Sequence, residues 1–351
     1  MVRTMREFTA HDDGPIADVA EQLWIAQRDR TPIAPLSVRY PELPVAILGS
    51  GDVGIDLMCK ILDSGGPLHL TAMVDVDPNP AGLARAARRG IPTSTDGVRG
   101  LLAMPLSSDL GLVFDTTSAT RHRLNWRQLQ PHGVRVLDLT SAAIGPPCIP
   151  ALNIDGCLDA PNVSLVTCGG QATIPVVAAV AQHGTVSYAE VVSSVSSIAV
   201  DAGTRTSIDE YLETTSAALQ SIGGAQYGKA IMILSPADPP SRMRNTVYCL
   251  VDGHVEHRAV EESITDMVAA VSTYLPGYRL KQRVQFETFS SHAPLHVPEL
   301  GRFSGTRVTA MLEVAGAAAR LPDHAGNVAI MTSAAMTIAE HIAAHTPGRR
   351  P

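Results

Sequence analysis

The apolar run Val45-Ala46-Ile47-Leu48 breaks into Gly49-Ser50-Gly51-Asp52-Val53-Gly54, and Ile55, Leu57, Met58 and Leu62 then follow at near-helical spacing. A strand that turns through G-x-G-x-x-G into a helix restricts the fold more than any other stretch of this chain. The glycines allow a tight turn and close backbone approach to a pyrophosphate, and the helix N-terminus adds positive dipole charge. The alternation continues: Leu70 to Val74 reads as a strand ending at Asp75, and Leu112-Val113-Phe114-Asp115 and Val134 to Asp138 as two more. Strands alternating with helices predict an α/β fold, a Rossmann-type doubly wound parallel sheet. Gly49, Ser50, Gly51, Asp52, Val53 and Gly54 are therefore candidate dinucleotide-binding residues. Asp75 and Asp77 stand where an acid meets the adenosine ribose hydroxyls, which favours NAD over NADP. Their competing reading is a turn starter. Arg85, Arg88 and Arg89 would serve a 2′-phosphate or form a solvated helix face.

After residue 168 the texture changes. Val186 to Val200, Ile231 to Leu234, Thr246 to Val251, Val284 to Glu287 and Val308 to Val314 read as strands with fewer helices between them. They predict a largely antiparallel second sheet in an α+β domain. A final helix, rich in Ala, Met and Ile, is expected from about Asn327 to Ala344. Before residue 45, Pro15 with Ile16, Val19, Ala20 and Leu23 reads as an amphipathic helix, followed by the breaker Thr31-Pro32-Ile33-Ala34-Pro35. The expected organisation is an extension over 1–44, a dinucleotide-binding domain over 45–168, a second domain over 169–315, and a C-terminal helical segment over 316–351.

At 351 residues the chain can hold about two domains, and its formal charge of −7 argues against a nucleic-acid partner. No apolar run approaches the roughly 20 residues needed to span a bilayer, and the N-terminus shows no secretory pattern, so the cytoplasm is expected. The five cysteines form no CxxC pair and read as thiols. The twelve histidines show no ligand spacing, so no metal is expected, and no GxSxG elbow is present. Cys168 stands apart in Val166-Thr167-Cys168-Gly169-Gly170-Gln171-Ala172-Thr173-Ile174-Pro175. Small neighbours, and a helix expected to begin near Thr173-Ile174-Pro175, suit an activated thiol, since a helix N-terminus favours the thiolate. The other four cysteines read as buried and inert.

Residues from about 45 to 345 resemble the CoA-acylating acetaldehyde dehydrogenases of aromatic meta-cleavage pathways. The resemblance runs through Val45–Gly54, Phe114-Asp115-Thr116-Thr117-Ser118-Ala119, Leu137-Asp138-Leu139-Thr140, Val166–Pro175, Gly203-Thr204-Arg205, Ile208-Asp209-Glu210-Tyr211, Pro276–Gln282, Leu300–Gly305 and Gly326-Asn327. It implies an enzyme that joins aldehyde, CoA and NAD into acyl-CoA and NADH through a thioester on Cys168. It also implies a homodimer and a possible complex with a 4-hydroxy-2-oxovalerate aldolase. Ser50 to Val53, Gly203, Thr204, Arg205 and Asn327 fall on the family's cofactor contacts. The segment from Ile16 to Pro44 resembles the start of 2-hydroxypentadienoate hydratases, and no chemistry is assigned to it.

Three stretches depart from that family. The cofactor loop, Lys-Ser-Ala-Gly-Pro-Gly-Thr-Arg in the family, is Ile198-Ala199-Val200-Asp201-Ala202-Gly203-Thr204-Arg205 here. Leu234 to Pro240 differs near the expected substrate channel. Asn245 replaces an aspartate that, in the family, helps deprotonate the thiol through water. An amide orients water but accepts no proton, and Asp201 is a possible substitute. The alternative reading is an impaired paralogue that binds and stabilises an aldolase.

Overall fold

Six short apolar strands build the first sheet: β1 (Leu43–Leu48), β2 (Leu68–Val74), β3 (Thr93–Ser94), β4 (Leu112–Asp115), β5 (Arg135–Asp138) and β6 (Asn162–Ser164). In this computed structural model the described residues are 42–77, 81–105, 109–200, 205–316 and 321–345. The helix and proline-rich stretch expected before residue 41 lie outside them, as do Asp201, Gly203 and Thr204. All six strands are parallel, in the order β3-β2-β1-β4-β5-β6. The order reverses at β1, so a crevice opens beyond the carboxyl ends of β1 and β4, where doubly wound sheets bind ligands. Strand residues Val45, Ile47, Leu112, Phe114 and Leu137 are fully buried, as expected when helices cover both faces.

The first helices are α1 (Asp52–Ser64), α2 (Ala81–Arg88), α3 (Gly97–Leu102), α4 (Ala119–Leu129), the short α5 (Pro150–Asn153) and α6 (Cys168–Ala181). α1 turns Leu57, Met58 and Ile61 into the core, one stripe at helical spacing.

The second sheet contains β7 (Val186–Ser196), β8 (Ala225–Ser235), β9 (Met243–Asp252), β10 (Tyr278–Leu280), β11 (Gln285–Phe289) and β14 (Gly305–Val314). β12 (Leu295–Val297) and β13 (Gly301–Phe303) form a separate hairpin. The order is β10-β14-β9-β7-β8, with β11 also on β14. Pairing is antiparallel as expected, except that β7 and β8 run parallel. A parallel neighbour needs a long crossover, and α7 (Ile208–Ser221) provides it. α8 (His257–Tyr274) packs on α6. The last helix, α9 (Gly326–His345), packs against α1 and α6. Its Ile330, Ile338 and Ile342 are at most 1 % exposed. Truncating any one of them to alanine would cost about 2–5 kcal/mol.

Candidate active site

The three glycines after β1 have different jobs. Gly49 has a φ of 100°, and a Cβ there would lie 2.6 Å from Thr116 Oγ1. A Cβ on Gly54 would lie 2.2 Å from the Gly49 carbonyl oxygen, so only glycine lets α1 start this close to the turn. A Cβ on Gly51 would meet nothing within 4 Å. Gly51 is thus not required by packing, and the space in front of it suits the close approach of a phosphate to backbone. Asp75, at the end of β2, accepts hydrogen bonds from the Ser50 N–H (2.7 Å) and hydroxyl (2.6 Å). Asp77 lies two residues further out, exposed, with its N–H 3.4 Å from Asp75 Oδ1. Asp75 is therefore the acid held against the turn.

The helix expected near Thr173 begins five residues earlier, at Cys168 itself. Thr167 caps it, accepting the Gly170 N–H at 2.9 Å, and Pro175 falls inside the helix rather than in its first turn. The local reason is the strong N-cap preference of threonine just after an extended strand end. The preceding Val166 has a φ of 60°, a strained value for a β-branched residue, and it re-aims the chain from β6 into the cap. Cys168 is the only one of the five cysteines that is not buried. Its sulfur therefore opens the helix at the cavity wall.

One cavity gathers these elements. Its lining includes Asp52 and Val53 after β1, Thr116 to Ala119 after β4, Leu139 to Ser141 after β5, and Val166 to Cys168 after β6. From the other side come Ala199, Val200, Tyr211, Met232, Asn327 and Met331. Cys168, Asp52, Val53 and Asn327 thus share one space. Asn327 spends one amide hydrogen on the Ala199 carbonyl (2.8 Å), and its own Oδ1 is buried without a partner. Arg205 holds the Val200 and Ser197 carbonyls, so it and Asn327 both pin the segment that edges the cavity.

Asn245 does not line the cavity. It lies on β9 directly opposite Ser193 of β7, 1 % exposed, with neither amide atom hydrogen-bonded. Directly opposed residues share a sheet face. Ser193 Oγ would lie 2.6 Å from a Cβ on Gly169, so Asn245 stands one layer behind the thiol helix.

Several residues near the thiol were given no role by the sequence, although Tyr211 lies in the matching stretch Ile208–Tyr211. Tyr211 of α7 is 4 % exposed, accepts the Gly169 N–H at 2.9 Å, and stands 3.7 Å from Cys168 Sγ. Thr215, one turn on, bridges to Thr167 at 2.7 Å. Beneath the cavity floor, His122 is fully buried between Asp115 (2.9 Å) and Asp138 (3.5 Å). Burial alone would depress the imidazole pKa, but the two carboxylates outweigh it and raise it above the ordinary value. Burial pushes the Asp138 carboxyl up to about 6. Asp115 and Asp138 also bind Thr117 and Thr140, both in the cavity wall, so this core shapes the floor. The strings Asp115-Thr116-Thr117-Ser118 and Asp138-Leu139-Thr140, each closing a strand, were the available signal. Among the described residues no three His, Cys, Asp or Glu side chains are placed to hold a metal. No described helix is long and apolar enough to cross a membrane.

Residues 168–322 match the prokaryotic acetaldehyde dehydrogenase dimerisation family. The chain is 57 % identical over 302 residues to a probable inactive acetaldehyde dehydrogenase 1 of Mycolicibacterium vanbaalenii, covering 86 % of this chain and 95 % of that protein. It is 55 % identical over 305 residues to acetaldehyde dehydrogenase 2 of Pseudomonas putida, covering 86 % of this chain and 96 % of the relative. Among solved structures, aspartate semialdehyde dehydrogenase II of Vibrio cholerae matches with a TM-score of 0.54 at 12 % identity, over 87 % of this chain and all of that one. That likeness concerns the two-domain α/β fold alone. With more than half of the aligned residues identical over 86 % of its length, this chain belongs to the acetaldehyde dehydrogenase family.

Proposed function

We propose that the protein is an NAD-dependent, CoA-acylating aldehyde dehydrogenase that oxidises a short aldehyde through a thioester on Cys168. The observation that carries this reading is the position of Cys168: it opens a helix in the cavity that also takes in the glycine turn and Asn327. The open side of Gly51, the α1 N-terminus and the Ser50-bound Asp75 fit a dinucleotide pyrophosphate and ribose. An acid at that place repels a 2′-phosphate, which supports NAD over NADP. In this reading residues 45–168 bind cofactor, 169–315 carry catalysis and dimerisation, and 316–351 return Asn327 to the cavity. The dimerisation-family match supports a homodimer.

The chemistry follows from these residues. The Cys168 thiolate, favoured by the helix N-terminus, forms a C–S bond to the aldehyde carbon, and the carbonyl π pair moves to oxygen. The Gly169 and Gly170 N–H groups are held by Tyr211 and Thr167, so the donor offered to the developing oxyanion is the remaining amide hydrogen of Asn327. A bound nicotinamide supplies the hydride acceptor. The resulting acyl group stays on Cys168 until the CoA thiol takes it, and the reverse sequence would reduce an acyl-thioester. Ser50, Gly51, Asp52, Val53, Gly203, Thr204, Arg205 and Asn327 are assigned to the cofactor. Asn245 orients water behind the thiol without accepting its proton.

The test is purified protein with NAD, CoA and short aldehydes, followed at the NADH absorbance, with Cys168→Ala alongside. Full turnover by that variant would end the nucleophile assignment. A second reading, a non-catalytic partner of an aldolase, is favoured by the unpaired Asn245 where the resemblance implies an acid. Thermal stabilisation by NAD, absent in a protein that only binds an aldolase, separates the two.

A further inference from the structure

Tyr211 meets the reacting sulfur, and neither the motifs nor the cofactor assignment gives it a role. Its oxygen accepts the Gly169 N–H at 2.9 Å, so its own O–H proton is directed away from that bond. Cys168 Sγ is within reach of that proton at 3.7 Å; the Ser193 and Thr167 hydroxyls also bond the phenol, but in the sense that favours its ionised oxygen, so they donate to it rather than accept from it. The ring is buried at 4 % exposure and lines the same cavity as the thiol. α7 is itself clamped to the thiol helix, because Thr215 joins Thr167 and the Tyr211 carbonyl at 2.7 Å each. The phenol is thus held in place rather than swinging on a free helix. Burial first, and the Cys168 charge next, raise its pKa well above the ordinary value, so it stays protonated and acts as a donor.

Resting on the thiol-nucleophile reading, we propose that Tyr211 is a catalytic residue whose hydroxyl donates a hydrogen bond to the Cys168 thiolate. The bond acts twice. Before attack it holds the ionised sulfur while the thiol proton leaves through the cavity to solvent. Later, the incoming acceptor thiolate adds to the acyl carbon, the C–S bond to Cys168 breaks, and its electron pair returns to a sulfur that again meets the donor. The position of Asn245 makes this contribution larger, because no carboxylate on that face of β9 can take the proton.

The experiment is the pH dependence of Cys168 alkylation by iodoacetamide, read by intact mass, alongside NADH-coupled turnover. Tyr211→Phe keeps the ring and removes the donor. A charge-assisted bond of this kind predicts a midpoint about 1 pH unit higher, hence about tenfold less thiolate at neutral pH and a similar loss in kcat. Thr215→Val loosens the clamp but leaves the donor in place, and its midpoint is expected to move in the same direction by clearly less than that of Tyr211→Phe. A Tyr211→Phe midpoint equal to wild type, or an equal shift in Thr215→Val, overturns the proposal. Replacing the tyrosines with 3-fluorotyrosine gives a readout that does not depend on the fold of a variant. A stronger donor should lower the midpoint, and an unchanged midpoint again overturns the role. Cys168→Ala distinguishes the levels: if it is inactive while Tyr211→Phe titrates like wild type, the nucleophile stands and only the Tyr211 role falls.

Discussion

Asn245→Asp is the most informative single change. The side chain is 1 % exposed with both amide atoms unpaired, so the substitution changes charge and almost nothing in shape. A carboxyl there has no partner to favour its ionised form, and burial will raise its pKa above the ordinary value near 3.9 by about 2–3 units. As a general base acting through water it can return about 10²–10⁴-fold in rate, but only once ionised. The gain in kcat/KM should therefore be small near pH 5 and grow through about pH 6 to 7. Stability moves the other way. The folded state binds this proton more tightly than the unfolded state, so stability falls as pH rises from about 4 through the folded pKa. At 1.36 kcal/mol per unit the full loss is about 3–4 kcal/mol. The assay is NADH formation across that pH range, with thermal melts of the same samples. A variant that stays folded and shows the pH-dependent loss of stability, yet gains no rate at any pH, would refute the idea that Asn245 lies on the path of the thiol proton.

The glycine turn gives a paired test. Gly54→Ala should cost about 1–3 kcal/mol from overpacking against the Gly49 carbonyl and lower Tm without ligand, whereas Gly51→Ala should leave the ligand-free Tm near wild type and lose most of the NAD-induced stabilisation. Asp75→Asn should weaken discrimination against NADP, read as a narrower ratio of KM values for the two cofactors. His122→Gln removes a cation held between two carboxylates. Because the His122 pKa is raised, its contribution is whole below about pH 6.5 and is lost as pH rises through its folded value, so the Tm gap between wild type and variant should shrink above that pH. Co-purification with a 4-hydroxy-2-oxovalerate aldolase would test the proposed partnership; two species eluting separately at micromolar concentration would argue against it.

Much of this architecture was legible along the chain. The short apolar runs and the 3.6-residue spacing between Val45 and Asp138 reflect local burial, and local burial is what a linear pattern encodes. The glycine turn was equally legible, because its requirement is a backbone geometry satisfied within six residues. The mostly antiparallel second sheet followed from strand runs with few helices between them, but its parallel β7–β8 pair did not, since pairing partners about forty residues apart leave no local trace. Cys168 was recognisable from its glycines, yet the start of its helix was misplaced by a proline that the folded chain tolerates inside α6. Tyr211 meets Cys168 across 43 residues, and His122 meets Asp115 and Asp138 from a different element of the fold, so only tertiary packing could bring them to the thiol or the cavity floor. By itself the sequence determined which residues could do chemistry. The three-dimensional chain decided which of them meet, because a hydrogen bond is made over about 3 Å and carries no memory of distance along the backbone.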